Sequence, residues 1–379
     1  MLKRLGVNDA DLEIADAIRR FSQAELAPHA AQVDRDETST TRYVPALAEL
    51  GVMGMNLPER WGGIGASPAA IILALAEIAQ ACAATSSMIG AHYLATDSIL
   101  IGGDDAQRER YLPDAASGAN LGAFALTEPQ AGSNPAGMTT QAVRDGEHYH
   151  IRGVKHFISN ADAAQFIVVY AKTSPEQGVR GISAFVVDRE TPGVSVSPAE
   201  KLMGIRGAPA HEVALDCVVP AANRLGAEGS GFRTAMKVLD NSRLDVAATS
   251  LGIAEAAMGD AVEWTRQRQV GGEPLANKQG LQWVFADMKT RLEAAWLLTL
   301  QAAARRATGE PFTDAASMAK LYATEMVAFV TDAALQMHGG YGFTREMRIE
   351  RLVRDARILR IYEGSSEIQR TVIARSVLA

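Results

Sequence analysis

The segment LRIYEGSSEIQR, residues 359–370, places one carboxylate, Glu363, between an aromatic residue and a Gly-Ser-Ser turn that reads as the start of a last helix. Two kinds of chemistry suit it. A carboxylate just ahead of a helix meets the positive end of the helix dipole, with Ser365 or Ser366 as the cap. The other role is a general base aimed into a pocket built by the rest of the chain. In AFALTEPQAGSNPAG (123–137) an apolar run turns through Gly132 and Ser133, where bare backbone and hydroxyls suit a phosphate or a ring; an ordinary loop is the plain alternative. In VKHFISNADAAQFIVVYA (154–171) Phe157 and Ser159 share one strand face, so they either cover a planar ligand or are a core Phe beside a strand-end Ser. Asp240 and Arg243 stand three apart on a helical stretch, as a simple ion pair or as ligand contacts. Arg268, just ahead of a glycine turn, is either a surface arginine or a clamp for a pyrophosphate. His338, in MHGGYG, suits the negative end of a helix dipole. No G-x-G-x-x-G after a strand, Walker loop, HExxH or G-x-S-x-G elbow is present.

These residues sit in a chain whose hydrophobic period changes twice. Residues 8–120 read as successive helices. Asn8 or Asp9 caps the first, 43–50 closes at Gly51, 58–67 is a loop, 68–84 and 86–102 are buried on more than one face, and a short surface helix over 105–111 ends before Pro113. After Gly118 the period falls towards two. Runs at 124–127, 148–153, 166–172, 181–188, 194–196 and 212–219, set between Gly, Pro and Asp turns, predict a small β barrel or sandwich. From Gly229 the helical period returns over 232–268, 280–308, 313–338 and 366–378, with Thr313 as an N-cap and Gly339-Gly340 as a stop, which predicts an antiparallel bundle. The expected architecture is mostly α with a central β domain, divided as 1–121, 122–228 and 229–379.

A formal net charge of −7 without a long basic run argues against a nucleic-acid or anionic-membrane surface. The two cysteines, Cys82 and Cys217, are far apart, so neither a disulfide framework nor a structural zinc site is expected, and the reducing cytoplasm is the natural compartment. The N-terminus MLKRLGVNDADLEIADAIRR does not read as a targeting peptide, and no apolar run has membrane-spanning length.

Taken together and in order, ALTEPQAGSNPAG, KHFISNA, EKLMGIRG (200–207), RLDVAATSLGIAEAA (243–257), QMHGGYGF (336–343) and RDARILRIYEGSSEIQR (354–370) resemble the acyl-CoA dehydrogenase family over nearly the whole chain. The resemblance implies that family's fold, an N-terminal helical domain, a middle β domain and a C-terminal four-helix bundle, usually as a homotetramer. It also implies FAD, an acyl-CoA substrate and electron-transferring flavoprotein as the electron acceptor. Matched residue by residue, Phe124, Leu126 and Thr127 look like flavin-ring contacts, and Gly132 and Ser133 like a loop shared by FAD and the acyl-CoA. Phe157 and Ser159 match the aromatic-x-hydroxyl element over the flavin. Asp240, Arg243 and Gly364 look like substrate contacts. Arg268, Gln279, Gln336 and Gly340 look like contacts to the adenosine and pyrophosphate, some from a neighbouring subunit, and Ser365 and Glu367 lie where the last loop meets FAD.

Glu363 matches the family's catalytic base; the other family position for a base holds Ser242, which cannot serve. The implied reaction is α,β-dehydrogenation to a trans-2-enoyl-CoA. Glu363 takes the α-proton, flavin N5 takes the β-hydride, and the backbone N–H of Glu363 with a ribityl hydroxyl polarises the thioester carbonyl. Asn134 stands where an Asp is usual, Gly271 where many relatives have Phe, and Ala208 and Ala210 where hydroxyl residues are common. The alternatives are an oxidase or desulfinase on the same fold, or a non-catalytic flavoprotein relative. The acyl group stays open, with short or branched chains favoured.

Overall fold

The computed structural model describes residues 7–378; the MLKRLG portion of the N-terminal reading and Ala379 lie outside them. The helical opening comprises α1 (Asp9–Phe21), α2 (Ala30–Asp36), α3 (Val44–Glu49), α4 (Pro68–Ala81), α5 (Ala83–Gly102) and α6 (Asp105–Ala116). Asn8 caps α1 in a capping box with Asp11. Two predicted boundaries move. The break after α4 falls at Cys82, whose extended backbone (φ −152°, ψ 101°) separates it from α5. Alanine-rich sequence carries no local stop signal there. The sixth helix runs on through Pro113 to Ala116, because Tyr111, Leu112, Ala115 and Ala116 are all buried and hold the last turn against the lost hydrogen bond.

The middle of the chain forms β1 (Gly122–Ala125), β2 (Gln141–Asp145), β3 (His148–Ser159), β4 (Phe166–Lys172), β5 (Ile182–Asp188), β6 (Val194–Val196), β7 (Ala210–Pro220) and β8 (Arg224–Leu225). The order is β6-β7-β3-β2-β4-β5-β8, with β1 parallel to β4. β2 was absent from the sequence prediction. It completes a hairpin with β3 and touches β4 through the single pair Gln141–Lys172, so the sheet divides into two halves. Tyr149, Ile151, Val213 and Leu215 from one half and Ile167, Val169, Phe185 and Val187 from the other share one core.

The chain closes with α7 (Gly231–Gln267), a short hairpin of β9 (Gln269–Val270) and β10 (Glu273–Pro274), then α8 (Gln279–Thr308), α9 (Thr313–His338), α10 (Arg348–Arg357) and α11 (Ser366–Leu378). Thr313 is not the cap of α9: Phe312 takes that position, and the Thr313 hydroxyl instead donates to Asp240 Oδ2 at 2.6 Å. α1, α4, α5 and α7–α9 bury one continuous apolar core. α4 and α7 pack closely at Gly252 of α7, where an added Cβ would lie 2.1 Å from the carbonyl oxygen of Ala76 on α4. Because that obstacle is backbone, Gly252→Ala is expected to destabilise the protein by roughly 1–3 kcal/mol. A urea melt checks this, and an unchanged midpoint would show that α4 and α7 can part without cost.

Candidate active site

Glu363 lies in the turn between the 3₁₀ segment Ile358–Arg360 and α11. Its backbone is left-handed, φ 54°, and Gly364 follows at φ 91°. A non-glycine residue held there stores roughly 1–3 kcal/mol and persists only where its surroundings enforce it. Two fully buried side chains do so. Lys320 Nζ donates to the Gly364 carbonyl at 2.7 Å, and Gln369 Nε2 donates to the same oxygen at 2.9 Å and to the Glu363 carbonyl at 3.3 Å.

The Glu363 carboxyl is pushed up from 4.5 to about 7, chiefly because it is removed from water; the Ser242 hydroxyl, the Lys320 ammonium and the Arg243 guanidinium act in the opposite sense. Its Oε2 is buried with no hydrogen-bond partner, and among the described residues no carbonyl takes its backbone N–H. Arg243 and Asp240, read from sequence as a helix pair, form a buried contact at 2.5 Å. Burial forces that pairing, and the Arg243 Nε is left buried and unpartnered.

A second group of residues forms an open face on the β domain. β3 carries a bulge between Lys155 and Ile158, with Phe157 at φ 58°. Before the bulge the odd positions Tyr149, Ile151 and Lys155 are buried; after it Ile158 is. Uninterrupted alternation would turn Phe157 and Ser159 into the core, and the one-residue shift turns them out. Phe157 ends 59% exposed. The loop after β1 is fixed from beneath by Glu128 and Lys155, which pair at 2.8 Å with both side chains wholly buried. Glu128 also accepts from the N–H of Thr139 at 2.6 Å and of Thr140 at 3.1 Å, and Lys155 also donates to the Leu126 carbonyl at 3.2 Å. Burial alone would raise the Glu128 carboxyl, but Lys155 and these donors outweigh it and hold it at about 2.

The anchored loop leaves Thr127 half-buried and Gly132 and Ser133 exposed, with open space where a Cβ at Gly132 would stand. The Phe124 ring tilts against Tyr170 at 5.1 Å. Leu126, expected as a ring contact, has its side chain in the core.

A third group closes α7 and α9. Arg268, Trp264, His338, Gly339, Gly340 and Tyr341 line a cleft of about 450 Å³. His338 is not merely a helix-end charge: it stacks on Trp264 at 5.1 Å, and its Nδ1 donates to the Ala334 carbonyl at 2.7 Å. Gly339 and Gly340 have nothing within 4 Å of an added Cβ. The Arg268 guanidinium lies over Tyr341 at 5.7 Å and has no carboxylate partner among the described residues. Gln279 and Gln336 are exposed and lie outside the lining of this cleft, and Glu367 is exposed on the first turn of α11.

The structure thus gathers Gly364, Asp240 and Arg243 around the Glu363 carboxyl, Phe157, Ser159, Thr127, Gly132 and Ser133 on the β face, and Arg268 with Gly340 in the cleft. Sequence reasoning missed the supports: Glu128, Lys155, Lys320 and Gln369. Lys155 shares a strand face with Tyr149 and Ile151, and a charge at that alternation position was the available signal. Among the described residues no cluster of metal-binding type occurs, and no helix is long and apolar enough to cross a membrane.

Three family descriptions match in order: acyl-CoA dehydrogenase N-terminal domain over residues 8–119, middle domain over 123–218 and C-terminal domain over 229–378. The chain is 42% identical to acryloyl-CoA reductase (NADH) of Anaerotignum propionicum, across 95% of this chain and 92% of that one. It superposes on butyryl-CoA dehydrogenase from Megasphaera elsdenii with a TM-score of 0.96 at 37% identity, covering 98% and 99% of the two chains. A structure described as electron transferring flavoprotein of Acidaminococcus fermentans, with a mechanism of flavin-based electron bifurcation as its subject, matches equally, with a TM-score of 0.96 at 37% identity over 98% of each chain.

Proposed function

Because the chain belongs to the acyl-CoA dehydrogenase family and is an oxidoreductase, we propose that it performs FAD-dependent α,β-dehydrogenation of an acyl-CoA thioester with Glu363 as its base. The observation that carries this reading is a buried, partly unpartnered carboxyl on a strained turn, raised to about 7. The residues present suit a flavin dinucleotide: an exposed aromatic face at Phe157, open backbone at Gly132, Gly339 and Gly340, and the unpaired Arg268 guanidinium for a pyrophosphate. Phe124, Leu126 through its backbone, Thr127, Ser159, Gln279, Gln336, Ser365 and Glu367 complete the proposed cofactor set. When bound, the flavin supplies a two-electron acceptor for hydride.

The chain's own residues do the rest. Glu363 removes the proton from C2, and the electron pair left there becomes the C2–C3 double bond as hydride leaves C3. The free N–H of Glu363 suits a developing negative charge on the thioester oxygen. Lys320 holds the turn that aims both groups. Asp240, Arg243, Ser133 and Gly364 bind substrate in this reading. By microscopic reversibility the same carboxyl, protonated, donates to C2 in the reductive direction that the acryloyl-CoA reductase relative's name describes.

The same reading divides the chain as 1–121, 122–228 and 229–379. It takes electron-transferring flavoprotein as partner, in keeping with the Acidaminococcus relative. It assembles the chain as a homotetramer, a use for the exposed Trp283, Leu297 and Tyr322 of α8 and α9. A reducing cytoplasm suits the two buried free cysteines.

Anaerobic mixing of the yellow protein with a panel of acyl-CoA thioesters should bleach the flavin, and a colourless preparation that takes up no FAD would end the proposal. The base must be ionised, so kcat/KM should rise with pH and level off above an inflection near 7. A profile flat from about pH 5.5 to 8.5 would remove Glu363 from this role.

A further inference from the structure

α5 and α7 flank the base and are clamped together at two points. Ser86 Oγ and Thr249 Oγ1 lie 2.8 Å apart, and Asn241 Nδ2 donates to Asp97 Oδ2 at 2.7 Å. Ser86, Gly90, Tyr93 and Asp97 follow one another at helical spacing on a single face of α5, as Asn241, Asp245 and Thr249 do on α7. Asp245 therefore stands midway between the clamps, across from Gly90 and Tyr93.

The space there is hollow: Gly90 is buried, yet a Cβ added to it would meet no atom within 4 Å. Asp245 is 7% exposed, and among the described residues no donor or cation reaches its carboxyl within hydrogen-bond or ion-pair distance. Its neighbour differs. Both oxygens of Asp97 are taken, one by Asn56 and one by Asn241, each at 2.7 Å. Tyr93 spends its hydroxyl on the Val52 carbonyl. Burial pushes the Asp245 carboxyl well above the ordinary carboxylate range, Arg306 of α8 acts against this, and Glu363 and Asp97 act with it. Ser242, one turn before Asp245, acts on the Glu363 carboxyl, so the hollow adjoins the base. Neither proton removal nor flavin binding uses Asp245.

Resting on the dehydrogenase reading, we infer that this hollow receives the far end of the acyl chain and that the substrate carries there a hydrogen-bond-donating group, a hydroxyl or an ammonium, which the Asp245 carboxyl accepts. The reacting carbons are C2 and C3, so the polar group stands beyond them, on C4 or C5 of the acyl chain. A plain alkyl tail would cover a buried carboxyl without satisfying it, and would lose about tenfold or more in affinity.

Isothermal titration of the flavin-loaded protein tests this with matched thioesters: 4-hydroxybutyryl-CoA against pentanoyl-CoA, and 5-aminopentanoyl-CoA against hexanoyl-CoA. The wild type should bind the polar member of at least one pair about tenfold or more tightly. Asp245→Leu should reverse that preference, and Asp245→Asn should retain a preference for the hydroxyl. Equal or tighter alkyl binding in both pairs overturns the inference, as does an unchanged ratio in Asp245→Leu. Bleaching by pentanoyl-CoA without any polar preference sinks the inference and leaves the dehydrogenase reading standing. A polar preference in binding without bleaching by any thioester does the reverse.

Discussion

Glu363→Gln is expected to retain flavin and lose turnover by roughly 10²–10⁴-fold, the usual contribution of a positioned general base. The substitution keeps size and the enforced left-handed turn, because Lys320 and Gln369 hold backbone carbonyls and not the carboxyl. What is lost is the capacity to accept a proton. The same change should stabilise the protein in alkaline solution. Burial raises the folded carboxyl from 4.5 to about 7, so stability present below about 4.5 is lost as pH rises through 7. A glutamine has no such loss. The variant should therefore melt above the wild type at pH 8 and level with it at pH 4. Turnover is best measured anaerobically at saturating electron acceptor, and near-normal activity there would show that the base lies elsewhere.

Lys155→Met should cost about 3–5 kcal/mol, because it leaves Glu128 charged and buried with its cation removed. Both side chains are wholly inside, so no water replaces the missing ammonium. The damage should reach the proposed cofactor face. Lys155 ties the Leu126 carbonyl and Glu128 to β3, and Glu128 in turn holds Thr139 and Thr140 on the far side of the Gly132 loop. Flavin content after purification should fall along with the denaturation midpoint. The wild-type pair also predicts acid sensitivity: Glu128 is held at about 2, so its stabilisation is full at neutral pH and lost as pH falls from about 4.5 through 2. A Lys155→Met protein with unchanged midpoint and full flavin would mean the pair is dispensable.

Apolar periodicity along the chain was enough to order the architecture as helices, a β domain and long helices, because period is a local property of consecutive residues. The long helices at Gly231–Gln267, Gln279–Thr308 and Thr313–His338 match the predicted stretches to within a residue. Glu363 was also legible, because a carboxylate ahead of a Gly-Ser-Ser turn is an unusual local choice, and the surrounding motifs resemble one family in order. Other features depend on partners far away in sequence. The run of Phe157 was read as plain alternation, whereas the bulge that exposes it forms only against β7. Thr313 was read as a cap, whereas Asp240, distant in sequence, claims its hydroxyl.

Sequence alone therefore determined the order of helical and strand regions, without β2 or α10, and which carboxylate stands before the last helix. Tertiary structure decided which ionisable groups lose water and which keep a partner. Lys320 and Asp245 are ordinary charged residues in the linear text, and nothing local distinguishes them from solvated ones. Desolvation is set by everything packed around a group, and that packing exists only once the helices and the sheet have closed.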